Sequence, residues 1–272
     1  MKWIKFEYND TVHYGVVDGG TVQVTDLEWA DVMAKRPFTP IATLPLDSVQ
    51  PLNPVGRPYK IICIGQNYLD HCRETGVTPP ERPLIFTKFT TSMNDPDAEV
   101  IWSDELTQKV DFEAELAVII GKNGRFIPES EALSYVAGYT VANDITARDL
   151  QRGDRQWIRG KSLDGFCPMG PSFVTADDIP DPQNLQIGSR LNGRVMQESH
   201  TREMIFPVAK LISFCSQAFT LEAGDVLLTG TPHGVGVGRS PQLFMQDGDE
   251  IVVEVEGIGA LRNQCRIKRN KV

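Results

Sequence analysis

Asp111-Phe112-Glu113-Ala114-Glu115-Leu116-Ala117-Val118-Ile119-Ile120 is the stretch that decides how this chain is read. In an extended strand residues i, i+2 and i+4 share a face, which predicts that Asp111, Glu113 and Glu115 point the same way. The strand ends in the continuous run Val118-Ile119-Ile120, a pattern of burial. Three acids on a solvated edge strand cost little. On a buried strand they raise one another's pKa and resist ionisation unless a cation lies among them. Downstream, Gly138-Tyr139-Thr140-Val141-Ala142-Asn143-Asp144 reads as a second strand whose terminal acid an adjacent position could deliver to the same place. Glu113, Glu115 and Asp144 would then form an all-oxygen donor set suited to Mg²⁺, Mn²⁺ or Ca²⁺. From spacing alone, the exposed edge strand and the cation site both stay open.

Working outward, residues 1–25 alternate and turn like a β-hairpin, with Gly19-Gly20 between two β-prone runs. Asp26 to Met33 reads as a short helix. Prolines 37, 40, 45, 51, 54 and 58 favour extended linker, which places a boundary between a small β-rich unit, residues 1–55, and a larger unit, residues 56–272. The larger unit reads as strands at 60–64, 84–86, 111–120, 138–142, 225–229, 250–256 and 260–267. Helices are expected at 67–74, 145–151 and 207–219, with Asn67 as N-cap and Gly76 after the C-terminus of the first. Too few long helices alternate with strands for a doubly wound parallel fold. The expected class is mixed α/β, mainly β.

His71 and Glu74 stand three apart in that first helix, hence on one face. A carboxylate beside an imidazole orients it and raises its basicity, as in a general base with its orienter. An incidental pair on a surface helix has the same spacing. Gly160-Lys161-Ser162 resembles the end of a phosphate-binding loop, but position 155 is Arg155 where that motif needs glycine. The glycine-rich run from Leu228 to Gly238 lacks the G-x-G-x-x-G order and is not followed by a helix, which excludes a dinucleotide fingerprint. It reads either as a turn whose N–H groups approach a ligand oxygen or as a tight loop without one.

Composition narrows the class. Apolar residues make up 41% and charged residues 23% of 272, an ordinary globular balance. A formal net charge of −9 without a Lys/Arg cluster argues against nucleic acid as a partner. The cysteines, 63, 72, 167, 215 and 265, are odd in number with no C-x-x-C pair, which points to reduced thiols. No signal-peptide core and no apolar run of about 18 residues is present. A cytoplasmic protein without membrane association is expected.

Taken in order, six segments make the chain similar to the fumarylacetoacetate hydrolase superfamily, closest to the branch of animal domain-containing proteins. They are Gly65–Glu74, Val110–Leu116, Gly138–Gln151, Gln156–Pro168, Leu228–Gly236 and Gly248–Glu256. The resemblance spans roughly residues 57–267 and implies a β-sandwich roll, usually dimeric, so a homodimer is expected. It implies that Glu113, Glu115 and Asp144 bind Mg²⁺ or Mn²⁺ while Asp111 does not. It also implies that His71 and Glu74 form a catalytic dyad on a lid helix, with Lys161 beside the reacting group, and that Arg148, Gln151, Lys161, Gly230 and Thr231 face a small keto acid. Two departures stand out. Gly65 lies where the founding hydrolases carry a fourth carboxylate ligand, and Leu163 and Gly165 replace Phe and Thr of the common pattern, which is expected to reshape the pocket wall.

The chemistry this implies is stabilisation of an enolate on a pyruvate-like unit. Hydrolytic cleavage of a carbon–carbon bond in an acylpyruvate-type diketo acid is the first expectation, because an intact dyad is what water activation requires. Oxaloacetate decarboxylation or keto–enol tautomerisation is the alternative, and a metal-stabilised binding module without turnover the third reading.

Overall fold

The structure is a computed structural model that describes residues 1–269; the last three residues of the expected larger unit lie outside the described residues. In chain order the first strands are β1 (Lys2–Tyr8), β2 (Thr11–Asp18), β3 (Thr21–Val24), β4 (Ala42–Pro45) and β5 (Pro51–Leu52), with helix α1 (Trp29–Met33) between β3 and β4. Then follow β6 (Ile61–Gly65), helix α2 (Leu69–Thr75), β7 (Leu84–Lys88), β8 (Met93–Asn94), β9 (Glu99–Ser103), β10 (Val110–Asp111), β11 (Ala114–Ile120) and β12 (Val136–Asn143). The remainder is β13 (Thr146–Ala147), α3 (Arg148–Gly153), α4 (Ile158–Lys161), β14 (Cys167–Thr175), β15 (Gln186–Leu191), β16 (Arg194–His200), α5 (Val208–Ala218), β17 (Val226–Leu228), β18 (Glu250–Val255) and β19 (Gly259–Lys268).

One large sheet runs β4-β3-β2-β1-β14-β12-β11-β17-β6-β7, and a second runs β16-β15-β18-β19-β9. Strand β11 sits near the middle of the first, antiparallel to β12 and β17. Its Leu116, Val118 and Ile120 enter a core shared with the second sheet and α5, while Ala117 and Ile119 enter another with Ile61, Cys63 and Leu228. A strand buried on both faces reads as a continuous apolar run, which accounts for Val118-Ile119-Ile120. Each such side chain, fully buried, contributes about 1.5–3 kcal/mol of transfer free energy.

The N-terminal strands are not held apart from the rest. Lys2 and Trp3 of β1 pair with Val174 and Phe173 of β14, so the small unit continues the large sheet. The proline-punctuated stretch carries β4, whose Pro45 lies opposite Thr21 at the sheet's outer edge, where a missing N–H is tolerated. Among the described residues no helix is long and apolar enough to cross a membrane.

Several expected elements differ in detail. The strand expected over 111–120 breaks at Phe112–Glu113, because β10 pairs with β13 while β11 pairs with β12. The three-acid face therefore does not exist as one surface. The helix expected from Ile145 starts at Arg148, since Thr146 and Ala147 are drawn into pairing with β10. Asn67 is not the N-cap of α2; Tyr68 is. The Asn67 amide is buried and donates to the carbonyls of Phe206 and Thr229 at 3.1 and 2.8 Å, while its oxygen accepts from the Phe206 N–H. The helix expected at 207–219 is α5, with Pro207 as N-cap.

Candidate active site

A cleft of about 450 Å³ opens between α2, α3 and the ends of the central strands, and Glu113, Glu115, Arg148, Lys161 and His71 all line it. Residue register delivers the acids. Glu115 is opposite Ala142, and just past that pair the Asp144 N–H donates to the Glu113 carbonyl at 2.9 Å. Oxygens of Glu113, Glu115 and Asp144 lie within 4.8 Å of one another, and all three residues are buried.

Cationic groups hold two of these three carboxylates. The Lys161 ammonium donates to Glu113 Oε2 at 2.6 Å and Asp144 Oδ2 at 2.7 Å. The Arg148 guanidinium reaches Glu113 Oε1 at 2.6 Å and Asp111 Oδ2 at 2.8 Å. Burial works against ionisation of Glu113, but Lys161 and Arg148 outweigh it and hold its pKa down to about 2. Burial likewise opposes the charge on Lys161, and Asp144 and Glu113 more than offset it, so its ammonium stays charged well above the usual lysine range.

Glu115 is different. Among the described residues its Oε2 accepts only the Gly230 N–H, at 2.8 Å, and burial together with Asp144 and Glu113 pushes its pKa well up. Four buried carboxylates, counting Asp111, thus face three cationic side chains, Arg148, Lys161 and Lys88. A buried acid converging on two others with no cation of its own fits a hard divalent ion, and the donors are all oxygen. Glu113, Glu115 and Asp144 would hold it.

Sequence reasoning missed one member of this network. Lys88, at the end of β7 and fully buried, donates to Asp144 Oδ1 at 2.7 Å and the Ile145 carbonyl at 3.1 Å. A single lysine after an apolar run carries no signal of such a partner. Asp111 is a structural acid: besides Arg148 it accepts the N–H groups of Gly236 and Val237 at 2.7 and 3.0 Å, pinning the glycine-rich loop. Gly230 is displaced from its expected role. It has a φ of +95°, and its N–H orients Glu115 rather than standing free for substrate. Gln151, whose Oε1 accepts from Arg148 at 3.2 Å, and Thr231 do line the cleft. Leu163 and Gly165, expected to reshape the pocket wall, do not line this cleft. A side chain at Gly65 would place its Cβ 2.7 Å from the Trp157 ring, so this position cannot supply a fourth carboxylate while Trp157 stays where it is.

Helix α2 closes the other side. The His71 imidazole meets Glu74 Oε2 through Nδ1 at 3.2 Å, and Glu74 Oε1 accepts the Gly234 N–H at 2.9 Å. Burial resists the Glu74 charge, but His71 and the Gly234 N–H prevail and hold its pKa below the ordinary value. A carboxylate only accepts, so Nδ1 is the nitrogen that donates here, and in the neutral ring Nε2 is the one that can act as a base. Asp70, on the same helix, bonds the Ser199 hydroxyl and His233 Nδ1, the latter at 2.9 Å. His233 thus belongs to the anchoring of α2, a role its sequence surroundings did not show.

Known proteins repeat this arrangement of segments. Residues 60–266 match the family described as fumarylacetoacetate (FAA) hydrolase C-terminal, and residues 1–54 match one described as Rv2993c-like, N-terminal. The chain is 48% identical over 235 residues to oxaloacetate tautomerase FAHD2A, mitochondrial, of Bos taurus, covering 86% of this chain and 74% of the relative. It is 43% identical over 242 residues to oxaloacetate tautomerase YisK of Bacillus subtilis (strain 168), covering 87% and 79%. A solved fumarylacetoacetate hydrolase from psychrophilic Exiguobacterium antarcticum superposes with a TM-score of 0.90 at 40% identity, over 98% of this chain and all of that one. With the family's C-terminal domain matched over residues 60–266, about three quarters of this chain, and the fold shared with a solved member over 98% of it, this chain belongs to the fumarylacetoacetate hydrolase family.

Proposed function

We propose that the chain is a divalent-metal-dependent oxaloacetate tautomerase, interconverting the keto and enol forms of that acid. The observation that carries the reading is a free imidazole nitrogen, a fixed ammonium and a converging acid triad on one small cleft, in a chain whose relatives are named for this reaction. The bound Mg²⁺ or Mn²⁺ would supply Lewis-acid polarisation of the carboxylate and keto oxygens at one end of the substrate.

The chain's own residues do the rest. His71 Nε2 takes a proton from C3; the C3–H electron pair becomes the C2=C3 bond, and the former carbonyl pair settles on the C2 oxygen. Lys161, kept charged by Glu113 and Asp144, stabilises the charge developing on that oxygen. Proton return from His71 to the oxygen completes the enol; the reverse path gives the keto form. Glu74 stabilises the imidazolium while it holds the proton and keeps the ring aimed by its own bond to Gly234.

The same dyad can activate water, which favours hydrolysis of an acylpyruvate as a second reading. Following enol-oxaloacetate decay, oxaloacetate decarboxylation and acylpyruvate cleavage side by side, with Mg²⁺ and after chelation, separates them. Tautomerisation should dominate and be lost on chelation. Faster acylpyruvate cleavage than tautomerisation would overturn the assignment, and full activity without metal would remove the metal from it.

A further inference from the structure

Beyond the acid triad, the cleft carries two cationic side chains that the tautomerase mechanism does not use. Arg152 and Arg155 both line it, alongside Arg148, Gln151 and Lys161. Arg148 and Lys161 are neutralised by Asp111, Glu113 and Asp144. Arg152 and Arg155 are exposed, and no hydrogen bond or ion pair ties them down among the described residues. Their neighbour Arg159, by contrast, is paired with Asp154. The uncompensated positive charge of this cleft therefore sits towards its mouth.

The placement has a scale. Arg148 and Arg152 are four apart on α3, so they share a helix face, one above the other, separated by about 6 Å of rise. Arg148 marks the acid triad, which it touches through Glu113, and Arg152 marks a level one turn farther out. Beyond α3 the chain turns at Arg155, which has a φ of +63°. It then enters Trp157, whose ring packs 5.2 Å from Phe86 to form the apolar wall of the cleft. In a four-carbon diacid the two carboxylate carbons are roughly 4 Å apart, from bonds of about 1.5 Å. That span, plus the reach of a guanidinium, matches one helical turn.

We infer that Arg152 and Arg155 form a subsite for the distal carboxylate of a short 2-oxo or 2-hydroxy dicarboxylate, and that helix α3 sets the length of acid accepted. The inference rests on the small keto-acid reading of the cleft and adds to it the requirement for a second negative charge. A planar guanidinium is suited to bidentate carboxylate recognition, and the divalent ion and Lys161 are left for the other end.

Equilibrium binding in Mg²⁺ buffer tests this without turnover. Malate and 2-hydroxybutanoate share the same head and differ at the tail, carboxylate against methyl; oxalate presents a head with no tail. The wild type should bind malate ~10–100-fold more tightly than 2-hydroxybutanoate, the range of one or two charge-assisted hydrogen bonds. In the Arg152→Gln/Arg155→Gln double variant that ratio should fall towards one, with oxalate affinity unchanged. An unchanged ratio, or an equal loss for malate, 2-hydroxybutanoate and oxalate, overturns the subsite. Oxaloacetate tautomerisation measured in parallel keeps the two claims apart. A wild type that discriminates malate but does not tautomerise oxaloacetate would retain the subsite and refute the reaction.

Discussion

The acid triad, of which Glu113 and Glu115 line the cleft, and helix α2, whose His71 lines it too, are held in place by different means. Glu113, Glu115 and Asp144 stand at the ends of strands in the middle of the large sheet, buried, with two of the three clamped by lysine and arginine side chains. His71 and Glu74 ride on a seven-residue helix, too short to be stable alone. That helix is docked by a few side-chain bonds: Asp70 to Ser199 and His233, Glu74 to Gly234. The first region resembles a preorganised core whose charges are costly to unpair; the second resembles a latch. Electrostatic stabilisation needs fixed groups that do not reorganise, while a proton carrier over a cleft that admits substrate must be able to yield.

The two acids of β11 and its approach offer the largest test. Glu113→Ala takes one of two carboxylates from each of the buried Arg148 and Lys161, which keep Asp111 and Asp144, and should cost about 3 kcal/mol of folding stability, the low end for breaking a buried pair, read from urea melts of the metal-free protein. Glu115→Ala removes an acid with no cationic partner, so it should leave that stability unchanged or higher while abolishing metal binding and activity together. Equal destabilisation by both would break the distinction between a clamped acid and an unpaired one.

On the latch, His71→Ala should lower tautomerisation by ~10²–10⁴-fold, the range for losing a general base, with metal affinity by calorimetry nearly intact. A parallel loss of metal affinity would mean that α2 and the triad form one unit. Asp70→Asn loosens docking without touching the base. It should raise KM roughly 10-fold, as for one charge-assisted bond of about 1.5 kcal/mol. Hydrogen-exchange protection should fall over residues 69–75 and stay constant in β11 and β12.

The smallest effect is pH-dependent. Glu74 faces His71, the Gly234 N–H and, farther off, His233, which together lower its pKa despite burial. A carboxyl with a depressed folded-state pKa contributes stability that is complete above its unfolded value, about 4.3, and disappears as pH falls through the lower folded value. The stability difference between wild type and Glu74→Gln should therefore be constant above about pH 5 and shrink in more acid solution. A difference that grows on acidification would show that Glu74 is not held as the anion.

Local patterns made much of the framework legible. The apolar run of β11, the Gly19-Gly20 turn and the 207–219 helix depend on residues close in sequence, and all three appear within a residue or two of their expected places. Strand β14 and the β15–β16 hairpin went unread. In the hairpin the signal was present: Asn192 and Gly193 both have positive φ, as a two-residue hairpin turn requires. In β14 it was faint, because glycine and proline inside the strand look like a loop.

At the site the division is sharper. Sequence by itself singled out the acids, His71 with Glu74, and Lys161 as candidates, through an order of six segments that resembles one family; alternation and helical spacing alone left the acids and the His71–Glu74 pair open and gave Lys161 no role. Only the tertiary structure decided which carboxylate each cation serves. Asp111 and Glu113 are two residues apart on what reads as one strand, yet a break in pairing turns one into an anchor for the glycine-rich loop and leaves the other in the cleft. Lys88 reaches Asp144 across 56 positions of sequence, and His233 reaches Asp70 across 163. The physical reason is that a buried charge is stabilised by whatever opposite charge folding brings within about 3 Å, and that distance is set by sheet order and register rather than by neighbours along the chain.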